Sequence, residues 1–135
     1  MLYIGIDLGT SACKLLLVDA DGAILNTVSK SYPISFPHPG WSEQDPSDWW
    51  DAVATGVPEL LRGFDASQVS GIGVGGQMHG LVTLDAKGDV IRPAILWNDG
   101  RTAKQVDDLN EKIGRKRLSA LTANIAFAGF TAPKL

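Results

Sequence analysis

The sequence is poor in most of the features that would mark a special class of protein. Cys13 is the single cysteine in 135 residues, so no intrachain disulfide can form and no second thiol is available for a metal site. No apolar run approaches the roughly 20 residues of a membrane-spanning helix, and the N-terminus lacks the basic segment of a secretory signal. The formal net charge is −3, and the only basic cluster is the tripeptide Arg115-Lys116-Arg117. These absences argue against nucleic-acid and membrane partners and predict a cytoplasmic globular protein.

Short apolar runs separated by turn signals make up the rest of the chain, which is 44% hydrophobic. Asp21-Gly22 is a strong hairpin signal, and Asp45-Pro46 is typical of a helix start. In order, the runs predict three antiparallel strands over 2–7, 15–18 and 23–31, an extended loop over 33–40, a helix from Pro46 that kinks or restarts at Pro58, strands over 69–74 and 93–97, and a helix over 101–113. This order predicts an α/β protein with a mixed sheet and flanking helices.

The first strand ends in a segment suited to binding phosphate. Asp7 stands at the strand end, where a carboxylate can hold a hydrated Mg²⁺ against the phosphates of a nucleotide. Gly9 lets the backbone approach an anion, Thr10 and Ser11 add hydroxyl donors, and Lys14 adds a positive charge. The spacing of a P-loop is absent. From the residues alone, a plain hairpin turn is the alternative interpretation.

Two later segments place polar side chains beside glycine or an aromatic ring. Gln77-Met78-His79 lies between glycines, where Gln77 and His79 could hydrogen-bond a polyol. Trp97-Asn98-Asp99-Gly100-Arg101 combines an aromatic face with amide, carboxylate and guanidinium groups, a mixture suited to a sugar. Structural alternatives stay open for both segments. His79 could have a purely structural role instead of binding a ligand. Asn98 or Asp99 could cap the following helix while Trp97 lies in the core.

Together these segments resemble the FGGY carbohydrate kinases of the actin/hexokinase/Hsp70 superfamily. Ile4–Ser11 resembles the phosphate-loop signature that is found across that superfamily. Gln77-Met78-His79-Gly80 is more specific, because glycerol kinases carry a different, arginine-containing segment there. With Trp41–Pro46, Ala94–Arg101 and Gly129–Leu135, it resembles the bacterial xylulokinase branch, and the resemblance covers essentially the whole chain.

The resemblance implies a ribonuclease-H-like fold and the ATP- and Mg²⁺-dependent phosphorylation of the terminal hydroxyl of D-xylulose. It implies that Asp7 is the catalytic and metal-positioning residue, acting on the metal through water. It also implies phosphate contacts from Gly9, Thr10, Ser11 and Lys14, and sugar contacts from Gln77, Met78, His79, Asn98 and Asp99. A homodimer is a further expectation for the full-length protein.

The sequence departs from the family pattern in two places. Ala12 stands where many relatives have glycine, which would be costly if that residue needed a positive φ. Family members are also several times longer, and their aspartate base and adenine-binding domain lie outside this chain. Residues 1–135 are therefore expected to be the N-terminal part of the sugar-binding domain, inactive alone and with Phe127, Phe130 and Leu135 exposed.

Three other interpretations compete with this one. The first is another FGGY kinase, acting on ribulose, gluconate, glycerol or a related polyol. The second is a non-catalytic relative that binds sugar or nucleotide. The third is a simple structural domain, which would leave three polar, glycine-rich clusters at strand ends unexplained.

Overall fold

The computed structural model describes residues 1–135, which divide into two compact units. The first unit comprises residues 1–34 and 46–77, and the second comprises residues 35–45 and 78–135. No helix is both long enough and apolar enough to cross a membrane. In chain order the elements are β1 (Leu2–Leu8), β2 (Ala12–Asp19), β3 (Ile24–Ser31), β4 (Glu43–Gln44), α1 (Pro46–Leu60), β5 (Val69–Gly76), β6 (Ala94–Ile95), α2 (Ala103–Ile113) and α3 (Arg115–Thr122).

A four-stranded mixed sheet forms the frame of the first unit. Its strand order is β3-β2-β1-β5, with β1, β2 and β3 antiparallel and β5 parallel to β1. The predicted three-stranded antiparallel start is confirmed. The turn between β2 and β3 is set by Gly22 at φ 83° and by Asp19, whose Oδ1 accepts from the N–H groups of Asp21 and Ala23.

Helix α1 covers one face of this sheet. Alternate residues of the strands point toward it and are buried, and the largest fully buried ones are Leu15 and Leu17 of β2. Gly56 lies on the inner face of α1, where an added Cβ would come within 2.2 Å of the Leu15 side chain. Glycine costs helix propensity but allows this close packing. Of the two outcomes predicted at Pro58, the restart is wrong, because one helix continues to Leu60, and the kink stays a prediction. A proline in the last turn removes only one helical hydrogen bond.

The second unit contains a two-stranded sheet, β4 with β6, and the helices α2 and α3. The strand predicted over 93–97 is shorter than expected, because only Ala94–Ile95 pairs as strand. Trp97 is 49% exposed, so the alternative that placed it in the core is wrong. The predicted helix begins at Ala103 with Thr102 as its N-cap, so neither Asn98 nor Asp99 caps it.

Two features near the C-terminus differ from expectation. The basic cluster Arg115-Lys116-Arg117 forms the exposed first turn of α3, a helix that the sequence pattern did not predict. Phe127 and Leu135 are exposed, as expected, at 54% and 90%. The expectation that Phe130 is exposed is wrong, because its ring stacks on that of His79 with centroids 4.2 Å apart.

Candidate functional site

Asp7 lies near the end of β1 on the sheet face opposite the buried core. Its cross-strand neighbour in β2 is Lys14, and directly opposed residues of an antiparallel pair project from the same face. Both side chains are exposed. The Asp7 carboxylate makes no hydrogen bond or ion pair within the chain, so it is available to a ligand.

On the other side of Asp7 the sheet surface is bare backbone. Gly75 of β5 is in register with Asp7, and Gly73 is in register with Gly5. A Cβ added at Gly73 or Gly75 would meet no heavy atom within 4 Å, so both positions border open space. The face therefore offers a carboxylate, an ammonium group and an unobstructed strip of backbone next to one another.

This arrangement fits a Mg²⁺ ion that arrives with phosphate groups. No group of three or more His, Cys, Asp or Glu side chains could hold a metal by itself. Mg²⁺ keeps several of its waters and commonly binds proteins through one or two carboxylates together with substrate phosphates. A lone, unpaired carboxylate at Asp7 with open space beside it meets that requirement.

The turn between β1 and β2 is held in shape by its own backbone and by Tyr32. The Gly9 N–H donates to the Ala12 carbonyl at 3.0 Å, and a Cβ at Gly9 would approach the same oxygen to 2.9 Å. The Tyr32 hydroxyl donates to the Gly9 carbonyl at 2.5 Å, and the Tyr32 N–H donates to the Ser11 carbonyl at 3.2 Å. Tyr32 thus restrains the turn through hydrogen bonds to two of its carbonyls.

Tyr32 is suited to remain a donor at any physiological pH. Burial, followed by the neighbouring Cys13 and Asp7, raises the pKa of Tyr32 to about 12. The departure at Ala12 causes no backbone strain, since Ala12 does not have a positive φ. The turn is therefore held in one shape, with the Gly9 N–H already bonded inside it.

The segment after β5 presents Met78 and constrains His79. Met78 is 72% exposed, while the Gln77 N–H donates to the Leu8 carbonyl at 2.8 Å within the first unit. His79 has φ 63°, in the left-handed region that residues other than glycine rarely occupy. In the second unit, its ring stacks on Phe130 and its carbonyl accepts from Lys134 at 2.7 Å.

Asp99 belongs to a buried network of charged groups. It is 2% exposed, and both of its oxygens accept from Arg101, while Oδ2 also accepts from the Ser42 N–H at 2.7 Å. The same guanidinium donates to Glu43 at 2.6 Å and lies 3.6 Å from the ring centroid of Trp41. Burial acts to raise the pKa of Asp99, but the hydrogen bonds from Arg101 and Ser42 outweigh it and lower that pKa.

The predicted sugar-binding residues therefore differ in their surroundings. Asn98 and Met78 are exposed and Trp97 is half-exposed, whereas Asp99 is buried among its hydrogen-bond partners. Three residues that shape these segments went unpredicted: Tyr32, Phe130 and Lys134. The last two belong to Gly129–Leu135, which the sequence marked only as a family pattern. A lysine in an otherwise apolar and small-residue segment was the available signal.

The comparisons with known proteins agree with this geometry. The family profile described as "FGGY family of carbohydrate kinases, N-terminal domain" matches residues 2–135. The chain belongs to the FGGY family of carbohydrate kinases. It is 46% identical over 134 residues to xylulose kinase of Klebsiella pneumoniae and 44% identical over 134 residues to that of Escherichia coli K12, covering 99% of this chain in each case.

Solved structures of FGGY kinases share the fold. The crystal structure of a "xyloylose kinase" from Brucella ovis matches with a TM-score of 0.92 at 43% identity, over 99% of this chain and 28% of that one. The predicted ribonuclease-H-like α/β fold of the superfamily is thereby confirmed for the elements that the chain contains. The chain spans 27% of the length of the two curated xylulose kinases.

Proposed function

We propose that the chain is the N-terminal part of the sugar-binding domain of a kinase that phosphorylates D-xylulose. The proposed reaction transfers the γ-phosphoryl group of ATP to the terminal hydroxyl of the sugar and yields D-xylulose 5-phosphate in the cytoplasm. The observation that carries the proposal is the exposed, unpaired carboxylate of Asp7, flanked by Lys14 and by the bare backbone at Gly75. The similarity to xylulose kinases supports the choice of sugar.

The first unit is proposed to handle the phosphates. Asp7 orients the metal through water, and Lys14 balances negative charge on the phosphate oxygens. Backbone N–H groups of the turn and the hydroxyls of Thr10 and Ser11 donate to those oxygens, while Tyr32 keeps the turn rigid from behind. When bound, Mg²⁺ neutralises charge on the transferring phosphoryl group.

The second unit is proposed to hold the sugar. Met78, His79 and Asn98 supply the contacts there, and the exposed face of Trp97 stands next to Asn98 in the chain. A sugar contact from Gln77 stays a prediction. Asp99 is given a positioning role, because its oxygens already accept from Arg101 and Ser42 and fix the turn that follows Asn98. The proton acceptor is expected in the family's longer sequence and not among these residues.

A turnover panel on the full-length protein tests the proposal. Equal concentrations of D-xylulose, D-ribulose, gluconate and glycerol are offered with MgATP, and ADP release is measured in a coupled assay. We expect D-xylulose to have the highest kcat/KM. A higher value for another of the four would reassign the substrate within the family. Absence of sugar-dependent ADP release with all of them would favour a non-catalytic, binding role.

A further inference from the structure

Lys134 has an unusual environment in the second unit. Four backbone carbonyl oxygens surround its Nζ within hydrogen-bond distance: His79 at 2.7 Å, Leu96 at 2.9 Å, Gly129 at 2.9 Å and Ile95 at 3.1 Å. The ammonium group has three N–H donors, so at least one of them is shared between two of these oxygens. It takes part in none of the salt bridges of the chain. Burial lowers the pKa of Lys134, and the nearby charge of Asp99, which acts to raise it, does not outweigh this effect.

Those four carbonyls come from three separate stretches of chain. One belongs to His79 after β5, two belong to the β6 region just before Trp97, and one belongs to Gly129. Gly129 packs so closely that an added Cβ would lie 1.9 Å from the Trp97 carbonyl oxygen. A single ammonium group therefore connects the backbone segments that carry the side chains of His79 and Trp97.

The conformation of His79 requires such a restraint. A left-handed φ is strained in a residue other than glycine and persists only where surrounding contacts enforce it. Phe130 restrains the ring of His79 by stacking, and Lys134 restrains its carbonyl by a charge-assisted hydrogen bond. Loss of the second contact would leave the carbonyl of His79 without its charged donor and weaken the restraint on the following peptide.

We propose that Lys134 is a positioning residue for sugar binding, which fixes the Met78–His79 segment and the Leu96–Trp97 segment in one arrangement by gathering their carbonyls on its ammonium group. The inference rests on the proposed role of these segments in holding the sugar. It assigns Lys134 no contact with the substrate, so its effect is expected on the sugar and not on the nucleotide.

Kinetics of the full-length protein give the first test. Lys134→Met keeps most of the aliphatic stem and removes the donors. Because a misplacement of about 1 Å can cost roughly 100-fold in rate, kcat/KM for the sugar is expected to fall by about that factor. The KM for ATP is expected to stay within about twofold, and Lys116→Ala, an exposed lysine of α3, is the control expected to change neither value.

Chemical rescue separates positioning from general stability. Lys134→Ala removes the atoms that n-propylammonium would replace, so added n-propylammonium is expected to restore at least a tenth of the lost kcat/KM for the sugar. Tetramethylammonium has the same charge but no N–H donors, and it is expected to restore nothing. Unchanged sugar kinetics in Lys134→Met, or equal rises in both KM values without rescue, would overturn the proposal.

Amide hydrogen exchange of the full-length protein gives a readout that is independent of activity. The Leu81 amide donates to Ile95, whose carbonyl Lys134 also binds, and the Phe130 amide donates to Phe127. Both amides are expected to exchange at least tenfold faster in Lys134→Met, with peptide 2–8 unchanged. Unaltered exchange would overturn the role of Lys134. Absence of kinase activity in the wild type would instead refute the proposed function. The hydrogen-exchange measurement would still test the structural role of Lys134.

Discussion

Replacing Arg101 by methionine should both destabilise the second unit and reverse its response to acid. The guanidinium is only 9% exposed and bridges Asp99, whose side chain is 1% exposed, and Glu43, which is 12% exposed. Removing one partner of a buried ion pair costs about 3–5 kcal/mol, and loss of the contact with Trp41 adds about 1 kcal/mol. Such a loss is a large share of the 5–15 kcal/mol that stabilises a typical domain.

The pH dependence follows from the direction of the Asp99 pKa. In the wild type this pKa is lowered in the folded state, so its stabilising contribution is complete above about pH 4 and is lost as the pH falls further. In Arg101→Met the guanidinium no longer offsets the burial of Asp99, and only the backbone N–H donors of residues 42 and 101 remain, so we expect its folded pKa to rise above the unfolded value. The folded variant then binds a proton more readily than the unfolded one, and its stability increases as the pH falls from 7 toward 4.

Urea unfolding followed by tryptophan fluorescence measures this effect. In the 135-residue chain, a Trp49→Phe/Trp50→Phe background confines the signal to Trp41 and Trp97, both in the second unit. Arg92→Met is the matched control, because Arg92 contacts the same Glu43 at 3.2 Å but is 46% exposed, and it should cost no more than about 1 kcal/mol. Equal losses in the two methionine variants, or an Arg101 variant that weakens further in acid, would refute the reasoning.

Three other outcomes are expected. Tyr32→Phe removes the hydroxyl donor to Gly9, which should lower the free energy of unfolding by about 1 kcal/mol and raise the KM for ATP about fivefold in the full-length protein. Tyr3→Phe is the control and should change this KM little. Equal KM values in both variants would show that Tyr32 does not support phosphate binding. His79→Ala should raise the KM for sugar about 5- to 150-fold and leave that for ATP nearly constant, and a parallel rise of both would reduce His79 to a structural role. The isolated 135-residue chain should show no ATP-dependent xylulose phosphorylation and should bind a hydrophobic dye through Phe127 and Leu135; activity above an Asp7→Asn control would contradict this.

Much of the first unit follows from local signals. The turn at Asp21-Gly22 and the apolar runs around it predict three antiparallel strands, because strand residues with one buried face repeat every second position. Asp45-Pro46 likewise predicts the start of α1. Gly56 is unfavourable for a helix by propensity alone, but the packing requires it because its Cα lies against Leu15, which is distant in sequence.

The candidate site was only partly predictable for the same reason. Asp7, Gly9 and Lys14 are close in sequence, so their chemistry could be read from one short segment. The partners of His79 lie more than 50 residues away: its carbonyl binds Lys134, which is 55 positions later. A lysine that binds only carbonyls leaves no charge pattern in the sequence.

The structural surroundings of Asp99 could not be predicted from its neighbours in the sequence. Its neighbours Trp97 and Asn98 suggested a sugar site, but its fixed partners are Ser42 and Glu43-bound Arg101. The pairing with Ser42 spans 57 positions and required the fold. A contact between Asp99 and sugar stays a prediction.

The central claim is that Asp7 orients the metal during phosphoryl transfer, and Asp7→Asn in the full-length protein tests it most directly. The amide keeps the size of the side chain but removes its charge, so kcat with D-xylulose and MgATP should fall by a factor on the order of 100 or more. The dissociation constant for D-xylulose, measured by calorimetry in the same preparation, should stay within about twofold of the wild-type value. Near-normal turnover in Asp7→Asn would contradict the account, and so would a loss of turnover fully explained by weaker sugar binding.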